Sequence, residues 1–224
     1  MSNICIIPAR GGSKRIPRKN IKNFLGKPII SYSIEIALKS KLFDEVIVST
    51  DSEEIAEVAR KYGAKVPFIR SEKSSDDYAT LSDVVEEVKL NYKKEKKKID
   101  KICLLLSTAP LVNVDILQEA FHLMNNNKFD SVRPVVKFSY PPQRGLRINN
   151  GKVSFIFNEY AKTRSQDLEP IFHDAGMFYW MNFEKGLKSE NKGAIIVSEK
   201  ITQDIDTLED WEIAESKYKI MYDK

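Results

Sequence analysis

The stretch ICIIPARGGSKRIPRKN, residues 4–20, joins an apolar run that stops at Pro8 to a loop in which five cations fall among residues 10–19. A short unbroken apolar run of this kind reads as a strand buried on both faces. Similar runs recur along the chain: EVIVS (45–49), KVPFI (65–69), ICLLL (102–106) and SVRPVV (131–136). Between them lie helical patterns at 28–41, 51–63, 81–95 and 113–126. Such alternation predicts βαβ units, hence an α/β fold with a mostly parallel sheet and helices on both faces.

Several boundaries carry their own signals. Asp51 or Ser52 is placed to cap the second helix, Gly63 stands where a C-cap belongs, and Asn113 caps the fourth helix. From Phe138 to about Pro170 the rhythm changes. Pro141-Pro142 and Asn149-Asn150-Gly151 punctuate short alternating runs and predict a β-hairpin or arm set into a single 224-residue domain. MFYW (177–180), GAIIVS (193–198) and a last helix from about Thr207 to Lys219 then return to the core pattern.

Composition narrows the function. With 36 basic against 32 acidic residues the net charge is only +4, so an anion site must be local, and neither nucleic acid nor a membrane is an expected partner. No apolar stretch approaches the ~20 residues that span a bilayer, and no signal-like segment opens the chain, so a cytosolic protein is expected. Cys5 and Cys103 both lie in strand-like runs and read as buried structural thiols. The basic run KKEKKK (93–98) reads as a solvated helix end.

The loop after the first strand stands where α/β sheets bind ligands, beyond the strands' carboxyl ends. It lacks the spacing of a P-loop or a dinucleotide motif. Gly11 and Gly12 let backbone amides approach an anion, while Arg10, Lys14 and Lys19 can surround several negative charges, as a triphosphate requires. Arg15 and Arg18 belong to the same run with less certain orientation. The alternative is a flexible basic surface turn.

Far along the chain, Asp204 and Asp206 flank Ile205 in QDIDTLEDW (203–211), which on an extended segment puts both carboxylates on one side. Hard oxygen ligands so spaced suit Mg²⁺ shared with substrate phosphates. Asp206 or Thr207 could instead cap the last helix. His122 reads as structural; His173 fits either a ligand contact or a structural hydrogen bond.

IIPARGGSKRIPRKN, IVSTD (47–51), IRSEKSSDD (69–77), LLLSTAPL (104–111) and DIDT (204–207) together resemble the acylneuraminate cytidylyltransferase family, which activates acidic nine-carbon or eight-carbon sugars. The similarity spans nearly the whole chain. STAPL, YPPQR and FHDAGMFYW bring it nearest to the family's pseudaminic acid branch. The resemblance implies a Rossmann-like nucleotidyltransferase fold, a three-layer sandwich whose hairpin around 138–170 is a homodimerisation arm.

For the site, the resemblance implies CTP phosphates held by the loop at Ala9, Arg10, Gly11, Gly12, Ser13, Lys14, Lys19 and Asn20, with cytosine and ribose near Arg70, Ser75 and Asp76. Sugar contacts would come from Ser107, Thr108, Arg164, His173 and Asp174, and Mg²⁺ from Asp204 and Asp206. Arg10, Lys14, Lys19 and Asp206 would be catalytic, with Asp206 or a metal-bound hydroxide accepting the sugar hydroxyl's proton. Two departures fall in the sugar half. Ser107-Thr108-Ala109-Pro110 replaces a Gln-Pro-Thr-Ser-Pro-type stretch, and His173-Asp174-Ala175-Gly176 replaces an Arg-containing Asn-Gly segment. Legionaminic, N-acetylneuraminic or an octulosonic acid are the alternative acceptors. A transferase using a sugar 1-phosphate is a rival enzyme, and a polyanion-binding protein is the rival outside enzymes, although it would have no use for the Asp-Ile-Asp pair.

Overall fold

The structure is a computed structural model that describes residues 2–222. In chain order its elements are β1 (Asn3–Pro8), β2 (Asn23–Phe24), β3 (Lys27–Pro28), α1 (Ile29–Ser40), β4 (Glu45–Ser49), α2 (Glu53–Lys61), α3 (Leu81–Lys94) and β5 (Lys101–Leu105). Then come α4 (Val114–Asn126), β6 (Ser131–Lys137), β7 (Leu146–Asn149), β8 (Lys152–Phe155), β9 (Phe172–Asp174), β10 (Phe178–Asn182), β11 (Lys192–Ile196) and α5 (Leu208–Tyr222). The main sheet has the order β11-β6-β10-β5-β1-β4, with β9 pairing with β6. β1 runs parallel to β4 and β5, and β11 parallel to β6, whereas β10 is antiparallel to both its neighbours.

The opening apolar run serves two layers at once. Cys5 and Ile7 face a core closed by α1, α2 and α4, while Ile4 and Ile6 face a second core closed by α3. Alternate residues of a strand point to opposite faces, so a strand covered on both sides has no polar position to spare. On α1, Ile30, Ile34 and Ala37 recur at helical spacing and are fully buried, each isoleucine stabilising the fold by roughly 1.5–3 kcal/mol. Ile34→Ala would open a cavity there.

Local chemistry ends the helices as expected. Ser52 accepts from the Ile55 amide at 3.5 Å, Asn113 from the Ile116 amide at 3.0 Å, and Gly63 has φ +94° after α2. At α5 the open choice resolves: Thr207 Oγ1 accepts from the Asp210 amide at 3.2 Å and Asp210 answers by accepting the Thr207 amide at 2.8 Å. Asp206 is therefore released from capping.

One expectation needs correction. KVPFI is not a strand: only Lys65 bridges to Ile47, because Pro67 has no amide to extend a ladder. The segment instead leaves the sheet and delivers Arg70, whose amide bonds to Thr50 O at 2.8 Å. MFYW does return to the core, but as the antiparallel β10.

The hairpin is present as β7 and β8, turned by Asn150 (φ +48°) and Gly151 (φ +77°). Leu146 pairs with Phe155 and Ile148 with Val153 on one face, and Arg147 with Ser154 and Asn149 with Lys152 on the other. One face is thus wholly apolar, and Ile148 is 74% exposed. Cys5 and Cys103 are free, buried and directly opposite each other in register. No described helix is long and apolar enough to cross a membrane.

Candidate active site

β1 ends at Pro8, and the chain passes Ala9, buried and bonded through its amide to Ser49 O at 2.9 Å, before entering the cationic loop. The loop roofs a cavity of about 320 Å³ lined by Arg10, Ser13, Lys14, Arg15, Lys19 and Asn20 on one side and by Arg70, Ser74, Asp76, Asp77 and Thr80 on the other. Asn20 fixes its two ends. Its amide nitrogen donates to Arg10 O at 2.8 Å, and its oxygen accepts from Ser107 Oγ at 2.8 Å, beyond β5. Asn20 and Ser107 are both buried, so these two residues are committed to each other and to the loop's geometry.

The loop's cations already have partners. Arg10 Nη1 donates to Asp77 Oδ1 at 3.1 Å and to Asp76 O at 3.0 Å, and Lys14 Nζ pairs with the other Asp77 oxygen. The Gly11 amide, expected to face an anion, is donated to Asp51 Oδ1 at 2.8 Å instead. A Cβ on Gly11 would lie 3.2 Å from Ser52 Cβ, a tight contact; Gly12 stands in open space. Arg18 pairs with Glu54 and faces away from the cavity.

Arg70 enters the cavity from the buried side. Its Nε donates to Ser75 Oγ at 3.1 Å, while its buried Nη2 has no hydrogen-bond partner and stands 3.7 Å from Asp51. Burial pushes its guanidinium down from the ordinary arginine value, with the Asp51 and Glu87 carboxylates opposing. A buried donor left open costs about 1–3 kcal/mol, so a ligand acceptor at that point would be favoured. Asp76 spends its carboxylate on the Tyr78 and Ala79 amides at 2.9 and 2.7 Å. Thr108 lines this same cavity.

A second cavity of about 410 Å³ lies beside it, lined by His173, Asp174, Gln203, Asp204, Asp206, Asp210 and Lys217. Ile205 is buried between the two aspartates, which therefore project to the same side as expected. Lys19 Nζ reaches across, donating to Ile205 O at 2.7 Å and standing 3.8 Å from Asp206, while Arg15 Nη2 lies 2.7 Å from Asp206 Oδ1. Burial lowers the Lys19 pKa, Asp206 opposing. Desolvation by the surrounding protein and the like charge of Asp206 raise that of Asp204. A divalent cation would relieve that repulsion. Among the described residues no group of three or more His, Cys, Asp or Glu is placed to hold a metal; the pair by itself offers two hard oxygen donors of the kind a divalent cation takes.

Asp174 is more tightly bound than a free ligand would be. It accepts from Arg133 Nη1 at 2.9 Å, Tyr179 OH at 3.1 Å and the Gly176 amide at 2.9 Å. Gly176 has φ +63°, and a Cβ there would come within 3.3 Å of Asp204 Cγ, so the HDAG turn is pressed against Asp204. His173 Nδ1 lies 2.9 Å from Asp174 O, and its ring contacts Phe138 at 4.7 Å. Arg164 lines neither cavity; it precedes a short 3₁₀ turn in the hairpin excursion.

The structure therefore gathers the loop, Arg70 and Thr108 around one cavity and His173, Asp174, Asp204 and Asp206 around the other, joined at Lys19 and Arg15. Sequence reasoning missed Asp51, Asp77, Arg133, Tyr179 and Lys217. Lys217 anchors the segment before Asp204 by donating to Glu199 O, Thr202 O and Gln203 Oε1 at 2.8–3.0 Å.

A family model described as Cytidylyltransferase matches residues 4–217. Over its full length the chain is 45% identical to the pseudaminic acid cytidylyltransferase of Campylobacter jejuni serotype O:2, covering 99% of that protein. It is 31% identical to the CMP-N,N'-diacetyllegionaminic acid synthase of Legionella pneumophila, over 96% of this chain and 95% of that one. Among solved structures, CMP:2-keto-3-deoxy-manno-octonic acid synthetase complexed with CTP superposes with a TM-score of 0.72 at 18% identity, covering 99% of this chain and 100% of that one. At that identity the likeness shows the fold, the nucleotidyltransferase sandwich expected above.

Proposed function

The chain belongs to the cytidylyltransferase family, and from that membership we propose that it transfers CMP from CTP to the anomeric 2-hydroxyl of pseudaminic acid, releasing pyrophosphate. The observation that carries the proposal is the 45% identity to a pseudaminic acid cytidylyltransferase along the whole chain. The geometry supports it. Lys19 and Arg15 of the cationic cavity reach Ile205 O and Asp206 of the acidic one, which suits a reaction joining a polyphosphate to a second substrate.

The sugar hydroxyl attacks the α-phosphorus in line; a new P–O bond forms as the α–β bridge breaks, and pyrophosphate leaves with its electron pair. No covalent protein intermediate is needed. Arg10 and Lys14 hold the triphosphate, and Lys19 neutralises charge developing on the transferred phosphoryl group. Arg70 offers its open Nη2 to the base or ribose, next to Ser75. Asp206, which lines the acidic cavity and pairs with Arg15 and Lys19 of the cationic one, accepts the hydroxyl proton. Mg²⁺ on Asp204 and Asp206 would add charge neutralisation shared with the phosphates. Thr108 stands at the nucleotide side and His173 at the far side, with Asp174 fixing the turn between them.

The apolar face of the hairpin supports a homodimer, because a two-stranded hairpin is marginal in water and Leu146, Ile148 and Val153 are exposed on this chain alone. A second copy of the same arm would cover them, and the whole 224-residue chain would act as one unit in the cytoplasm, where CTP is supplied.

The deciding experiment offers each nucleoside triphosphate with Mg²⁺ and a panel of pseudaminic, legionaminic, N-acetylneuraminic and octulosonic acids, and identifies products by mass. CMP-pseudaminic acid formed from CTP alone is the expected result. Preference for another acid would reassign the sugar, and turnover only with a sugar 1-phosphate would reject the acceptor class. Salt-sensitive polyanion binding without any turnover would reject the enzyme.

A further inference from the structure

The cavity under the cationic loop is balanced by a charge of its own. Asp77 uses one oxygen for Arg10 and the other for Lys14, the two cations assigned to the triphosphate, and they hold its carboxyl below the usual range, Lys14 foremost. The carboxylate stands on a braced segment. Asp76 ties down the Tyr78 and Ala79 amides, and Glu87 of α3 accepts both the Ser71 amide at 2.9 Å and the Ser71 hydroxyl at 3.0 Å. Lys14, by contrast, is 75% exposed on the loop and bonds through its ammonium to Asp77. The anchored partner is the acid and the adjustable partner is the base.

We propose that Asp77 is a resident counter-anion that occupies the seat of the β- and γ-phosphates until the nucleotide displaces it. The inference rests on reading this cavity as the CTP site. Two acceptors compete for one ammonium and one guanidinium, and a triphosphate drawn to Arg10 and Lys14 comes within Coulomb range of the Asp77 carboxylate, which repels it. A ligand with several phosphate charges gains enough from the two cations to evict Asp77, whereas cytidine leaves the pairs intact. Asp77 therefore sets the charge a ligand must carry to be held, and keeps the loop folded over the cavity between turnovers.

The test is calorimetric binding of CTP, tripolyphosphate and cytidine in EDTA to the full chain, as wild type, Asp77→Asn, Lys14→Ala and Glu54→Gln. Asp77→Asn keeps the side-chain shape at a solvent-facing position, and matched thermal melts verify its fold. CTP and tripolyphosphate should bind about 3–10-fold tighter to Asp77→Asn, the scale of two exposed ion pairs, with cytidine unchanged. Glu54→Gln removes the same charge from the partner of Arg18, outside the cavity, and should tighten neither ligand by more than about twofold. CTP binding to Asp77→Asn that is unchanged or weaker overturns the proposal, as does equal tightening by Glu54→Gln. If Lys14→Ala leaves CTP affinity at the wild-type level, the reading of the cavity as a CTP site fails first.

Discussion

Lys19 donates its ammonium to the carbonyl oxygen of Ile205 at 2.7 Å, although 186 residues separate them. The contact closes the fold's two chemical halves on each other. A hydrogen bond thus ties the loop after β1 to the backbone between Asp204 and Asp206.

Lys19→Ala should lower turnover by at least ~10²-fold in a pyrophosphate-release assay, the usual cost of removing a preorganised charge. The pH profile gives a second readout. Burial lowers the Lys19 pKa, so its positive charge is complete at low pH and is lost as pH rises through that lowered value. The wild type should therefore lose activity on the alkaline side, and Lys19→Arg, which stays protonated, should move that limb upward. An identical limb in both proteins would assign it to another group.

Asp206→Asn should also lose at least ~10²-fold in turnover. With CTP bound, Mn²⁺ titration followed by electron paramagnetic resonance should show weaker binding by Asp206→Asn and Asp204→Asn than by wild type. Unchanged Mn²⁺ binding in both would exclude this pair as the metal site.

Gly176→Ala meets two obstacles, a left-handed backbone and the Asp204 side chain at 3.3 Å. The first alone costs about 1–2 kcal/mol. A lowered melting temperature is expected, together with a fall in kcat that exceeds the loss of folded protein, since Asp204 must yield. Full activity at wild-type stability would show that the turn does not press on Asp204.

Asn20→Ala would strand the buried Ser107 hydroxyl and the Arg10 carbonyl. Destabilisation of about 1–3 kcal/mol is expected in urea unfolding, the cost of an unsatisfied buried group. Asn20→Asp should differ, keeping the Ser107 contact and losing the one to Arg10.

Ile148→Asp on the apolar face of the hairpin should convert a dimer to a monomer by light scattering, with secondary structure unchanged. Lys152→Asp on the opposite face should leave the mass alone. A monomeric wild type would remove the case for the arm.

How much of this was legible depends on where the signal lived. The buried strands β1, β4, β5 and β6 announce themselves as apolar runs, and Asn149-Asn150-Gly151 announces the hairpin, because both are local in sequence. Strand direction is not local: MFYW reads as core, but nothing in its periodicity says that β10 runs against its neighbours. Asp77 and Asp51 carry no spacing cue either, being single acids whose partners Arg10 and Gly11 lie 67 and 40 residues away. Asn20 shows the same limit from the other side. The family resemblance implies a phosphate contact for it, while its two hydrogen bonds go to Arg10 and Ser107. The split into two cavities bridged by the contacts of Lys19 is a property of packing that no motif contains.

The two cysteines, side by side on β1 and β5 and shut off from solvent, have a practical use. Thiol reagents attack the thiolate, and burial pushes the Cys103 thiol well up while leaving no path to either sulfur. The native protein is in effect blank to maleimides. A cysteine put in place of Ser154 on the hairpin would therefore be labelled alone, and a pair of spin labels there would measure how far apart two arms stand in solution.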